Sequence, residues 1–134
     1  MIHACFNELR KAFFVHSSAD AGKSSASKHL LLFYTVEAGL KAVYLTENRC
    51  NSTKQVTEPK IVGSHDLFLL AKILKLPAHI TGKQNNFKLR RDQTQHPVSD
   101  AHQAWRYHIA IDTEDEEKII KWLQNLKEWL REKL

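Results

Sequence analysis

The sequence predicts an all-α fold, a helical bundle of four to five helices in a single domain over residues 1–134. Three observations favour it. Residues 30–44 are almost continuously apolar, which indicates a helix buried among others. Residues 113–134 begin with acidic side chains, end with basic ones and place apolar side chains at helical spacing. Evidence for strands is limited to the short apolar segments 61–62 and 109–111.

The first half of the chain predicts two helices and two polar connections. The apolar residues of segment 2–15 fall on one helical stripe, with the charged residues outside it. The polar segment 16–27 offers serine caps for a helix over about 27–45, which we expect to be the most buried element. The polar connection 47–62 has a length typical of functional or mobile loops.

A third helix is predicted over about 64–74, because Leu67, Leu70 and Leu74 recur at the spacing of one helix face. Ser64 or Asp66 can cap its start. Residues 78–98 are irregular and basic, and residues 101–107 predict a short helix.

The final helix has the clearest local signals. Thr113 and Glu116 have the spacing of a capping box. The wide apolar arc of this helix includes Trp122 and Trp129, which predicts surface for an interface between two copies of the chain.

Composition favours an anionic partner. The formal net charge is +5 and the pI is about 9.3, a basic balance that suits nucleic acid. Cys5 and Cys50 have neither metal-ligand nor disulfide spacing. No disulfide framework, leader-like segment or membrane-spanning run is evident, so we expect a reducing cytoplasm. The histidines show no i, i+4 pair with a Glu and there is no Cys-rich cluster, so we expect no metal, and we expect no cofactor.

Three short motifs occur in order along the chain: Glu37-Ala-Gly-Leu-Lys-Ala42 in the central helix, His65-Asp66-Leu67 at a helix start, and Trp105-Arg106-Tyr107 before the acidic final helix. Together they resemble the HEPN domain family over nearly the whole chain. HEPN domains are small prokaryotic helical bundles, and many are ribonucleases of toxin–antitoxin and phage-defence systems. The resemblance implies a metal-independent endoribonuclease that acts on RNA, with tRNA as one candidate, as a homodimer.

Active members of that family are similar in having an Arg, four to six residues, and then a His. Arg91-Asp92-Gln-Thr-Gln-His96 fits this pattern, although it lies in a loop rather than on the late helix. Arg106 and His108 are the alternative pair, with the right position but a shorter spacing. In either pair the His would act as general base or acid on the ribose hydroxyl or leaving oxygen, and the Arg would stabilise the phosphate. We expect Lys83, Lys88 and Arg90 to bind RNA.

Other patterns favour structural roles. Glu37 and Lys41 are spaced to form an ion pair within the central helix, and His65 is expected to bond a neighbouring loop. Residues 21–25 look like the end of a phosphate-binding loop, but Ser17 stands where that motif needs Gly. The alternative to an enzyme is a non-catalytic HEPN-like module that binds RNA or a nucleotidyltransferase- or antitoxin-type protein.

Overall fold

The structure is a computed structural model that describes residues 3–18, 25–57, 63–83 and 85–134. Within these ranges the chain is mostly helical, with one small two-stranded sheet. The α-helices are α1 (Phe6–Ser18), α2 (Ser25–Glu47), α3 (Leu67–Ile73), α4 (Ala78–Thr81), α5 (Ala101–Arg106) and α6 (Thr113–Lys133). The strands are β1 (Asn86–Lys88) and β2 (Gln95–Pro97), and short 3₁₀ turns lie at Thr53–Gln55 and Val98–Asp100.

α2 is the central element, as its apolar sequence predicts. It contacts α1, α3, α5 and α6, and a helix that is apolar around most of its circumference must be covered in this way. Gly39 marks the tightest approach. A Cβ atom there would lie 2.8 Å from Leu130 Cδ1 and 2.9 Å from Phe13 Cδ2, so α1 and α6 both pack closely on α2 at this residue.

Helix starts confirm one predicted cap and overturn another. The Asp66 side chain accepts a hydrogen bond from Leu69 N at 3.1 Å and caps α3. At α6 the predicted capping box is wrong, because Asp112 Oδ2 accepts from Asp115 N at 3.2 Å and Thr113 is already helical. Glu116 instead accepts from the indole nitrogen of buried Trp105 at 3.1 Å. A buried indole needs an acceptor, and this need decides the direction of the Glu116 side chain.

The basic segment 78–98 is more regular than predicted. It contains α4 and an antiparallel hairpin in which Phe87 pairs with His96. Leu89 extends the pairing to Ile111 through an isolated bridge. The hairpin forms because Phe87 and Leu89 alternate with exposed residues and become buried on one face. The mainly helical class is therefore confirmed, and the expectation of a purely α chain is wrong at this hairpin.

Some predictions fall partly or wholly outside the described residues. Among them are residue 2 of the predicted first helix, residues 21–24 of the phosphate-loop-like segment, and the predicted strand at 61–62. None of the described helices combines the length and apolar character needed to cross a bilayer.

Candidate functional site

The short helix α5 contributes side chains to two groups of candidate functional residues, one on each of two faces. Gln103, Ala104 and Tyr107 line a pocket beside the β-hairpin. His102 and Arg106, four residues apart on a neighbouring face of the same helix, meet side chains of α2. We call these regions the hairpin pocket and the α2–α5 cluster.

The hairpin pocket is a cavity of about 160 Å³ that contains the first predicted catalytic pair. Arg91 and His96 both line it, so the fold brings these two residues to one place. The complete lining is Phe87, Leu89, Arg91, His96, Asp100, Gln103, Ala104, Tyr107 and Ile109.

His96 is held firmly by its neighbours. Thr94 Oγ1 lies 2.6 Å from Asp92 Oδ1 and 2.9 Å from His96 Nε2. Because the carboxylate takes the hydroxyl proton, Thr94 accepts a hydrogen bond from His96 Nε2–H. Nδ1 of His96 lies 3.8 Å from Asp100 Oδ2. The Nε2 atom is therefore engaged as a donor and is not free to accept a proton.

Arg91 also has an acidic neighbour in the hairpin. Its Nε lies 3.5 Å from Asp92 Oδ2, while the Arg91 side chain is 64% exposed. Hydrogen bonds from Thr94 lower the pKa of Asp92, and the charge of Arg91 lowers it further. Asp92 is thus a stable carboxylate beside Arg91 and reduces the positive field that a phosphate would meet.

The three predicted RNA-binding cations are all exposed, but they differ in the contacts that they make within the fold. Lys83 and Lys88 are exposed. The Arg90 guanidinium donates to Thr113 Oγ1 at 3.0 Å and lies 3.4 Å from the Ile111 carbonyl oxygen. Arg90 therefore holds the hairpin against the start of α6.

The second predicted pair lies at the end of α5 and in the turn that follows it. Arg106 is exposed and donates a hydrogen bond from Nη2 to the hydroxyl of Tyr34 on α2. His108 is exposed in the turn after α5, where its backbone has a left-handed φ of 55°. Among the described contacts, no hydrogen bond or ion pair joins Arg106 to His108.

The α2–α5 cluster is built around Glu37. Its Oε1 lies 2.5 Å from His65 Nδ1, and its Oε2 lies 3.5 Å from Lys41 Nζ. The predicted ion pair with Lys41 is confirmed, whereas the expected loop partner for His65 is wrong. His65 bonds to α2 because the 15%-exposed Glu37 carboxylate needs partners for its charge. The His65 side chain itself remains 42% exposed.

His102 lies beneath His65, with the two ring centroids 4.4 Å apart. His102 is only 4% exposed, and its Nδ1 atom has no hydrogen-bond partner among the described residues. Burial lowers the pKa of His102 and the charge of Arg106 lowers it further, while the Ser99 backbone and the Glu37 carboxylate oppose this shift only in part. This ring is therefore neutral at pH 7.

The positions of His65 and His102 in the cluster were not predicted from the sequence. His102 precedes Arg106 by four residues on a predicted helix, which places both on one face. That spacing was the available signal. The approach of His65 to Glu37, 28 residues away, depends on the tertiary fold.

Comparisons with protein-family models, with curated proteins and with solved structures find no match to this chain. In the described part of the chain, no three His, Cys, Asp or Glu side chains are arranged to hold a metal ion. What the α2–α5 cluster offers chemically is a carboxylate-oriented imidazole stacked on a second, buried imidazole, with the Arg106 guanidinium one helical turn after His102 on α5.

Proposed function

We propose that this chain is a metal-independent endoribonuclease whose catalytic centre is the α2–α5 cluster. The observation that supports this best is the 2.5 Å contact between Glu37 and His65, whose ring stacks on His102 at 4.4 Å. Arg106 follows His102 by one helical turn and bonds to Tyr34 on α2. Arg106 belongs to the residues predicted from the sequence. His65 replaces His108 as its partner.

Glu37 sets the tautomer of His65. Its carboxylate accepts the Nδ1 proton, which leaves Nε2 as the proton acceptor on the half-exposed ring. A carboxylate orients the histidine in the same way in Ser-His-Asp triads. His65 is therefore placed to act as the general base.

The proposed reaction balances without a metal. His65 Nε2 takes the proton of a ribose 2′-hydroxyl, and that oxygen attacks the adjacent phosphorus. The bond from phosphorus to the 5′-oxygen breaks, and the Tyr34 hydroxyl gives its proton to the leaving oxygen. The proton held by His65 then passes through water to the Tyr34 phenolate, which restores both side chains. The products are a 2′,3′-cyclic phosphate and a 5′-hydroxyl. Arg106 donates to the phosphate oxygens, because one hydrogen bond to Tyr34 leaves most of its five donors free.

A non-catalytic module that binds RNA or a protein is the second candidate. The observation that favours it is the complete pairing of Glu37 by Lys41 and His65, since structural ion-pair networks have the same form. In that case the cluster would join α2 to α3 and α5, and the exposed cations would bind the partner.

The HEPN resemblance extends the proposal to a bundle of that family, a homodimer and a toxin or phage-defence effector. Trp122 does not contribute to a dimer surface in the way the sequence favoured. It is buried, and its indole nitrogen donates to the Thr81 carbonyl oxygen at 2.8 Å within one protomer. Trp129 is partly exposed and remains available.

The test is cleavage of total tRNA and unstructured RNA by the purified protein in EDTA. We expect His65→Gln and Arg106→Ala each to lose about 10²-fold or more in rate, the usual loss for a general base or a transition-state donor. His108→Ala is the matched control, an exposed histidine two residues after Arg106, and should cut like wild type.

Arg91→Ala and His96→Ala separate the two regions. Loss of cleavage in these variants, with activity retained in His65→Gln, would move the catalytic centre to the hairpin pocket. RNA binding without any cleavage by the wild type would favour the non-catalytic module.

A further inference from the structure

We propose that the hairpin pocket binds one nucleobase of a single-stranded RNA, next to the phosphate held by Arg106. This inference rests on the proposed function for the identity of the ligand as RNA. The size of the pocket, its aromatic rim and its polar groups support the binding of a base.

The pocket has the size and walls for one planar ring system. Its volume of about 160 Å³ is below the roughly 300–1,000 Å³ of pockets that enclose whole drug-sized ligands. Phe87, Leu89, Ala104 and Ile109 provide an apolar wall. The ring of His96 stacks on Phe87 with a centroid distance of 5.7 Å and an interplanar angle of 27°.

Tyr107 provides the exposed aromatic surface at this pocket. It is 65% exposed, and the only other large hydrophobic residue exposed in the described part of the chain is Val15. An aromatic ring kept in water beside a concave apolar wall costs stability that stacking on a base would recover. Base stacking on such rings is the common mode of single-strand recognition.

Two polar groups in the pocket select the type of base. Asp100 carries a carboxylate, which accepts hydrogen bonds and cannot donate them. Gln103 can do either. Guanine offers the two carboxylate oxygens of Asp100 two adjacent donors, N1–H and the amino group, whereas uracil offers only one, N3–H. We therefore expect guanine to bind better than uracil.

The pocket and the α2–α5 cluster are joined by adjacent residues. Tyr107 directly follows Arg106 at the end of α5, and the Arg106 guanidinium donates a hydrogen bond to the Tyr34 hydroxyl on α2. Hydrogen bonds with the Tyr34 and Tyr107 hydroxyls accordingly raise the pKa of Arg106. A base stacked on Tyr107 therefore places its attached phosphate near Arg106. The hairpin pocket is thus a base-binding subsite for the same RNA strand whose phosphate contacts Arg106.

The experiment uses 2′-O-methyl tetranucleotides, in which the nucleophilic hydroxyl is blocked, with G, A, C or U at one varied position. Binding is measured by fluorescence anisotropy at low salt. Tyr107→Ala should weaken binding by about 5- to 150-fold, the range of one lost base stack. Tyr107→Phe, which keeps the ring, should retain most of the affinity. Asp100→Asn should remove the discrimination against uracil.

The outcomes separate this inference from the proposed function. Unchanged affinity in Tyr107→Ala, equal binding of uracil, or no binding by the wild type would overturn the base pocket. Base-dependent binding by a chain that cuts no natural RNA would overturn the nuclease and leave the pocket in place. Circular dichroism of each variant checks that the helices are intact.

Discussion

His102 shows how one buried side chain can make the stability of the whole chain depend on pH. The ring lies between Phe33 and His65, with Nδ1 unpartnered among the described residues. Protonation would put a charge into this buried position beside His65 and Arg106. The folded protein therefore resists protonation of His102.

We expect the free energy of unfolding to fall as the pH is lowered below the ordinary histidine value of 6.5. Burial lowers the pKa of His102 in the folded state, so the unfolded chain binds the proton at a higher pH than the folded chain does. The loss continues from 6.5 down to the folded pKa. Urea unfolding between pH 5 and 8, chosen to span the range in which histidine titrates, measures it.

His102→Leu should flatten this pH dependence, whatever its effect on stability at pH 8. Burial also lowers the pKa of His29, so some slope should remain in the variant. His108→Leu, at an exposed histidine, is the control. An unaltered slope in His102→Leu would contradict the assignment.

At the scale of elements, the start of α6 shows that adjacent side chains compete to cap the same helix. Asp112 and Thr113 are adjacent residues that can both accept from a free backbone N–H at a helix start. The carboxylate of Asp112 does so. The Thr113 hydroxyl is instead bound by Arg90 at 3.0 Å. The hairpin and α6 are consequently joined through the residue that the capping-box pattern assigned to the cap.

Asp112→Ala should destabilise the protein by about 0.5–2 kcal/mol, the usual effect of losing a cap. Thr113→Ala should cost less, because it removes one exposed hydrogen bond to Arg90 and leaves the cap in place. Chemical denaturation of both variants beside wild type measures the difference. An equal or larger loss in Thr113→Ala would restore the predicted capping box.

At the scale of the whole molecule, the net charge of +5 favours an anionic partner. The cations of the basic segment differ in whether they form hydrogen bonds within the fold. Lys83 is exposed before the hairpin, and Lys88 is exposed at the end of β1. Arg90 is used within the fold. RNA binding should therefore weaken steeply with salt, mainly through the exposed cations.

Lys88→Ala should reduce the slope of log affinity against log salt by about 0.7 per lost phosphate contact on a single strand. The single-turnover cleavage rate at saturating RNA should be unaffected, since Lys88 lies outside the α2–α5 cluster. Arg90→Ala tests the contrast and should lower stability more than it lowers the salt slope. A slope of log affinity against log salt that is unchanged by Lys88→Ala would show that this lysine does not contact the RNA.

The elements that the sequence predicted well are those whose signals are local. The apolar run of residues 30–44 predicted α2, and the capping side chain of Asp66 predicted the start of α3. The spacing of Glu37 and Lys41 predicted their ion pair. Each of these depends on residues within a few positions of one another, where helical geometry alone determines the distance.

What only the tertiary structure decided depends on residues far apart in the chain. The hairpin has three-residue strands, which are too short for a reliable alternation pattern. His65 meets Glu37 across 28 residues, and Arg106 meets Tyr34 across 72. The sequence by itself determined the longer helices and the short helix α5, but not α4, and it showed that basic and imidazole groups are plentiful. Packing of α5 against α2 decided which of those groups share a site, because side chains on different elements meet only where the core brings the elements together.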